Sequence, residues 1–161
     1  TSLIYVVPSL AMFALLPLVL GTSVLSPLNV VVAMTLYGIA LMVRSATDSF
    51  GSVPADVRQS AIATGYSPLR RILRVELPLA GPGLLAGVRV VAASTISLVS
   101  VGALIGVQSL GTLFTEGFQR SFPTQIIAGL IGTILLAVLV DALLVAFGRV
   151  TMPWTRKAGL K

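Results

Sequence analysis

IIAGLIGTILLAVLVDALLVAF, residues 126–147, decides the class of fold. Its 22 positions hold one ionisable residue, Asp141, and a run of about 20 apolar residues is what an α-helix needs to cross the hydrocarbon core of a bilayer. Three other stretches read the same way: Leu3–Gly21, Leu28–Val43 and Leu84–Val107. The expected fold is therefore all-α, a polytopic transmembrane helical bundle of about four spans. Pro8 and Pro17 inside the first span are tolerable where neighbouring helices satisfy the carbonyls that proline frees. Composition agrees. Of the 161 residues 56% are hydrophobic and 10% charged, and the mean hydropathy is +1.02, too apolar for a soluble domain of this size. Residues 1–161 read as one membrane domain. The chain opens on Thr1 with no basic leader before the first apolar run, the pattern of an N-terminally truncated chain rather than a signal peptide.

The same composition removes several kinds of chemistry. Without Cys or His there is no thiol chemistry and no imidazole acid/base catalysis, and no Cys/His zinc site can form. The five acids, Asp48, Asp56, Glu76, Glu116 and Asp141, are too scattered in sequence to suggest a metal cage or a glycosidase pair, so the expectation is no enzyme and no metal. No Gly-rich loop ending in Lys-Ser or Lys-Thr is present to hold a nucleotide.

The net charge of +6 reads as a topology signal rather than as a nucleic-acid surface. With four spans, the N-terminus, the middle loop and the C-terminal tail share one side. Arg44, Arg58, Arg70, Arg71, Arg74 and Arg89 lie in or beside the middle loop, and Arg149, Arg156, Lys157 and Lys161 in the tail; Arg120 alone falls opposite. Positive charge marks the cytoplasmic side. The chain is thus expected to be multi-pass, with the middle loop and C-terminus cytoplasmic and the loops 22–27 and 108–125 outside.

The middle loop, residues 45–83, is polar yet carries helix punctuation. Ser52, Pro54 and Asp56 suit an N-cap and first turn, after which Val57, Ala61 and Ile62 make an apolar stripe. Gly65 stops that helix, and Ser67-Pro68 starts a second one with Leu69, Ile72 and Leu73 on one side and Arg70, Arg71 and Arg74 on the other. Pro78 and the Gly81-Pro82-Gly83 cluster are expected to end it. Two short helices at a bend form a knob with an apolar and a basic edge. It suits either a groove on a partner protein or anionic lipid headgroups.

The spacing Gln59-Ser60-Ala61, three residues, Gly65, nine residues, Val75-Glu76-Leu77-Pro78 resembles the EAA loop of ABC importer permeases, whose pattern is Glu-Ala-Ala, three residues, Gly, nine residues, Ile, any residue, Leu-Pro. Ala61, Gly65, Leu77 and Pro78 agree, whereas Gln59, Ser60 and Val75 replace Glu, Ala and Ile. The resemblance extends over nearly the whole chain, through Tyr5–Leu16, Gly106–Gly111, Glu116–Gln119 and Asp141, and is to the glycine betaine, carnitine and choline permeases of osmoprotectant importers. It implies that Gln59, Ser60, Ala61, Gly65, Leu69, Val75, Leu77 and Pro78 belong to a loop that couples the membrane part to a separate ABC ATPase subunit, where ATP and Mg would bind. It also implies an extracytoplasmic solute-binding protein, a permease dimer and about one further N-terminal helix. Methionine-type permeases share the loop. A non-transporting membrane anchor or assembly subunit is the reading from another class.

Within the spans, Ser94, Thr95, Ser97 and Ser100 put hydroxyls where they could line a translocation path or bond their own helix carbonyls. Gly102 and Gly106 are a Gly-xxx-Gly packing pair. Asp141, about 9 Å inside the end of the last span, calls for a partner, Arg89 or Arg149, and a structural lock is favoured over solute handling. Tyr37, Phe114, Phe118, Phe122 and Trp154 read as interface anchors rather than as a cage for a quaternary ammonium.

Overall fold

A computed structural model describes residues 9–23, 26–103 and 107–154, with the backbone alone for residues 9–14 and 101. Every regular element among them is helical: α1 (Ser9–Leu20), α2 (Pro27–Gly51), α3 (Ala55–Ala63), α4 (Pro68–Arg71), a π-helical turn (Ile72–Glu76), α5 (Leu77–Gly102), α6 (Thr112–Gln119) and α7 (Pro123–Thr151). Among the described residues three helices are long and apolar enough to cross a membrane: Pro27–Gly51, the continuous run Pro68–Ser100, and Pro123–Thr151. Within their most apolar windows only 17%, 6% and 0% of residues are buried inside the chain, so these surfaces face lipid or another protein. The first predicted span is described only as the 12-residue α1; Leu3–Pro8 lie outside the described residues.

The helices overrun their predicted ends. The second span, expected to stop at Val43, continues through Arg44 and Asp48 to Gly51. Ser52 does not cap α3 as predicted. Its hydroxyl donates back to the Ser49 carbonyl at 2.7 Å, at the end of α2, and Pro54 stands at the N-cap of α3 with Asp56 in the first turn. The larger correction concerns Gly81-Pro82-Gly83, which does not end a helix; Pro82 sits inside α5. A proline there has no N–H for the carbonyl four residues back, which belongs to Pro78. That carbonyl accepts a hydrogen bond from Trp154 Nε1 at 3.2 Å. Trp154, predicted as an interface anchor, thus replaces a missing helical bond from 76 residues away.

Contacts divide the chain into two compact units, Thr1–Ala40 with Val91–Asp141, and Leu41–Val90 with Ala142–Lys161. In the first, Leu16, Val30, Ala33, Met34 and Val107 form the core, with Val32, Leu98 and Val99 against it. The turn from α1 into α2 is tied by Asn29, which is fully buried: its Nδ2 donates to the Ser23 carbonyl at 2.8 Å, and Thr22 Oγ1 donates to its Oδ1 at 2.6 Å. The short α6 lies against its neighbours through glycines. A Cβ on Gly117 would meet Ile126 at 2.7 Å, and one on Gly129 would meet Leu113 at 2.9 Å.

The second unit is held by a seam of small residues. An added Cβ at Gly83 would lie 2.6 Å from Ser49 Oγ, and one at Gly87 would run into Ser45 Oγ. Gly83 and Gly87 on α5 therefore face Ser45 and Ser49 on α2, small residues four apart on both sides, the arrangement that lets helices approach closely without a hydrophobic drive. Of the predicted pair, Gly102 meets Val30 at an ordinary 3.7 Å and Gly106 lies outside the described residues.

Trp154→Phe keeps the ring and removes the donor, so it should destabilise the purified protein by about 0.5–1.5 kcal/mol. Pro82→Ala in the same background should recover most of that, since alanine restores the N–H to the Pro78 carbonyl. A thermal-unfolding double-mutant cycle checks it, and strictly additive effects would refute the exchange of partners.

Candidate functional site

Residues 52–78, within the second unit, break and turn between helices and expose apolar side chains beside several arginines. α3 ends as the sequence predicts. Gly65 has φ +81°, its N–H bonds the Ile62 carbonyl at 2.9 Å, and the Tyr66 N–H bonds the Ala61 carbonyl at 3.1 Å. These are the two bonds of a Schellman stop, which needs a left-handed residue at the position after the cap. Ser67 and Pro68 then open α4, also as predicted, with proline in the first turn where no N–H is required.

The two predicted short helices are one short helix and one long one, because α4 does not stop. It widens into the π turn Ile72–Glu76 and runs on as α5. The Leu77 N–H bonds the Ile72 carbonyl, five residues back. Pro78, next in line, has no N–H to offer, and a local π adjustment of this kind is one way a helix absorbs a proline.

Along this knob Ala61 is buried, while Ile62, Leu69 and Leu73 are more than half exposed and Tyr66 and Ile72 are also open. Gln59, Ser60, Gly65, Arg70 and Arg74 are exposed beside them, Leu77 is exposed, and Val75 and Pro78 are half-buried. The apolar and basic edges expected from the sequence are both present, with one exception. Arg71 does not join Arg70 and Arg74 outside but turns inward.

There it meets Glu76, the residue that sequence reasoning passed over. Glu76 is 7% exposed. Arg71 Nε donates to its Oε1 at 2.8 Å, and Arg58 Nε stands 3.6 Å from Oε2. The Arg58 guanidinium also donates through Nη2 to the Phe50 carbonyl, at the C-terminal end of α2 where a cation is favoured. One arginine from α3 and one from α4 thus close on a single buried carboxylate at the mouth of α5. A carboxylate this deep persists only when paired. The signal was hidden by helical periodicity. At about 100° per residue, positions five apart on an α-helix diverge by about 140°; only the wider π turn brings Arg71 and Glu76 to one face.

The predicted translocation residues lie in the first unit. Thr95 Oγ1 donates to the Val91 carbonyl at 2.8 Å and Ser100 Oγ to the Ile96 carbonyl at 3.2 Å. Thr95 borders a groove of about 530 Å³ walled by Val30, Val31, Met34, Val91 and Val99, and with Ser100 and Thr133 it borders a smaller one of about 240 Å³. Ser94 and Ser97 line neither of these two. Asp141 is half-buried on α7.

Long apolar helices with little internal burial, interrupted by an exposed bend with apolar and basic edges, define a multi-pass membrane chain. Comparison with known families agrees. Residues 1–156 match the model of the binding-protein-dependent transport system inner membrane component, and the chain belongs to that family. It is similar to an osmoprotectant import permease protein of Salmonella typhimurium, 34% identical over 92% of this chain and 61% of the relative. It is similar also to a glycine betaine/carnitine/choline transport system permease protein of Bacillus subtilis, 31% identical over 99% of this chain and 69% of the relative. A third relative, an ergothioneine transport permease/ergothioneine binding protein of Helicobacter pylori, is 34% identical over 89% of this chain but only 26% of its own length. The chain spans between about a quarter and two-thirds of the length of these relatives.

Nothing lies within 4 Å of a Cβ placed on Gly65, so the cost of a side chain there is conformational alone. Gly65→Ala should destabilise by about 1–2 kcal/mol and Gly65→Asn by less, since asparagine visits the left-handed region more readily. Thermal unfolding of the purified variants checks the order, and equal losses would contradict a purely conformational origin.

Proposed function

We propose that this chain is the transmembrane permease subunit of an ATP-driven importer and that the knob, from Ala55 to Val75, is where the partner ATPase docks. The observation that carries the reading is the exposure of Ile62, Leu69 and Leu73 on a bend fixed by the Gly65 stop, with Arg70 and Arg74 alongside. An apolar groove with an acidic rim on the partner is its complement, a helix laid in a groove. The family resemblance of the loop supports the same assignment of Gln59, Ser60, Ala61, Gly65, Leu69, Val75, Leu77 and Pro78 to it. ATP and Mg bind in the partner, and hydrolysis there supplies the free energy.

The arginine distribution orients the knob and the C-terminus toward the cytoplasm and the connection between α5 and α7 outward. Phe118 and Phe122, both well exposed beside the Glu116–Arg120 pair, then offer the loaded solute-binding protein a docking edge. Two permease copies enclose one pathway and present two knobs to two ATPases. The grooves beside Thr95 and Ser100 become part of that pathway in the dimer, with Ser94 and Ser97 nearby on the same helix.

The solute is a small osmoprotectant of the glycine betaine, carnitine or choline type, as two of the relatives' names suggest. Ergothioneine, named for the third, carries the same trimethylammonium group and is the second candidate. The apolar walls of the grooves suit a methylated cation better than a strongly hydrated one.

The test is ATP hydrolysis by the permease reconstituted in liposomes with an ABC ATPase and a solute-binding protein from the same organism, against glycine betaine, carnitine, choline, ergothioneine and methionine. The expected outcome is stimulation by one or more of the quaternary amines. Stimulation by methionine alone would reassign the solute, and failure to associate with any ATPase would leave a membrane anchor. In the same system Leu69→Glu should reduce ATPase association by about tenfold or more, the scale of a hot-spot truncation.

A further inference from the structure

We propose that Glu76 is the positioning residue through which movement of the docking knob reaches the long helix α5, a role that rests on the docking function proposed above. The knob has little else to hold it. Its large apolar side chains point away from the chain, leaving Ala61 and Val53 as the buried apolar residues between α2 and α4. The ion cluster is its directional attachment. Arg58 reaches from α3 to Glu76 and to the Phe50 carbonyl that closes α2, and Arg71 reaches from α4 to Glu76. A displacement of α3 or α4 by a docked partner is therefore felt at one carboxylate, and that carboxylate is the last residue of the π turn, directly before Leu77 and the membrane-crossing run of α5.

The π turn makes the link conditional on conformation. Arg71 and Glu76 are five residues apart, in register only while the turn is wide; tightening it to α geometry would swing them about 140° apart and separate the pair. The pair and the turn hold each other in place. Single π turns inside α-helices are frequent at functional sites, and tightening this one would change the register of α5 against the knob. Glu76 is thus placed to oppose that change in the resting arrangement. Gln59, exposed and uncharged, cannot supply a second carboxylate to this corner.

The experiment uses the reconstituted complex of permease, ATPase and binding protein, with whichever of glycine betaine, carnitine, choline or ergothioneine stimulates the wild type. The readout is the ratio of stimulated to unstimulated ATP hydrolysis per assembled complex. Loss of a purely architectural contact lowers the amount of complex and leaves that ratio alone. Glu76→Gln, which removes the charge at constant shape, should lower the ratio about fivefold or more, the scale of a typical coupling free energy, and Glu76→Asp should restore most of it. Arg71→Gln leaves the carboxylate its Arg58 partner and should give an intermediate loss; if Glu76→Gln does not assemble, this variant decides. A wild-type ratio in the assembled Glu76→Gln or Arg71→Gln complex would overturn the positioning role while leaving the docking reading intact. Where methionine alone stimulates the wild type, the same ratios are read with it; a wild type that associates with no ATPase would overturn the docking reading, and this inference with it.

Discussion

Lipid offers no hydrogen-bond partner, so a chain that spans it has to satisfy its own polar groups, and much of this structure follows from that constraint. The hydroxyls show it most plainly. Thr35, Thr47, Ser49, Thr95, Ser100, Thr133 and Thr151 each donate to the carbonyl four residues back. Pro82 breaks the ladder of α5 and Trp154 mends it at Pro78. Asn29, the most buried polar side chain, is bonded at both ends of its amide. At Glu76 the same requirement is met by two arginines, and there the solution also joins three helices.

Because apolar side chains gain nothing by leaving lipid for one another, the helices of the second unit approach through their smallest residues. Gly83 and Gly87 admit Ser45 and Ser49, and Gly81 and Gly148 admit Met152 and Leu85. These contacts bring the ends of α2, α5 and α7 together as a base, and the knob stands on that base with its apolar edge unspent. A docking element needs this division of labour: a packed support and a surface that the isolated chain leaves uncovered. Membership of the binding-protein-dependent permease family supports the proposal that such a surface has a partner.

Much of this was legible in the sequence. Long apolar runs give the membrane helices, and Gly65 followed by Ser67-Pro68 gives the bend, because each of those signals acts within one turn of chain. The misreadings have a common cause. Gly81-Pro82-Gly83 looks like a helix end until a tryptophan 72 residues beyond Pro82 is seen to replace the lost bond. Ser52 sits between two helix termini, and its hydroxyl serves the earlier one. Arg71 and Glu76 fall on different faces of any α-helical wheel, so their pairing depends on a π turn that no periodicity announces. The pairing of Gly83 and Gly87 with Ser45 and Ser49 escaped the sequence reading altogether, because only the fold sets one helix against the other. Each time the group that met the need lay outside the pattern a local rule reads, whether 76 residues away or only three.

The central claim is that the knob docks on an ATPase rather than resting on lipid headgroups, and proximity tests it most directly. A photo-crosslinking amino acid placed at Leu69, the most exposed apolar position of the bend, would be activated in native membranes that contain the permease and its partner ATPase. The account predicts a covalent adduct at the summed mass of the two subunits, lost when the ATPase gene is deleted. Crosslinks to lipid alone, in membranes where both proteins are present, would contradict it.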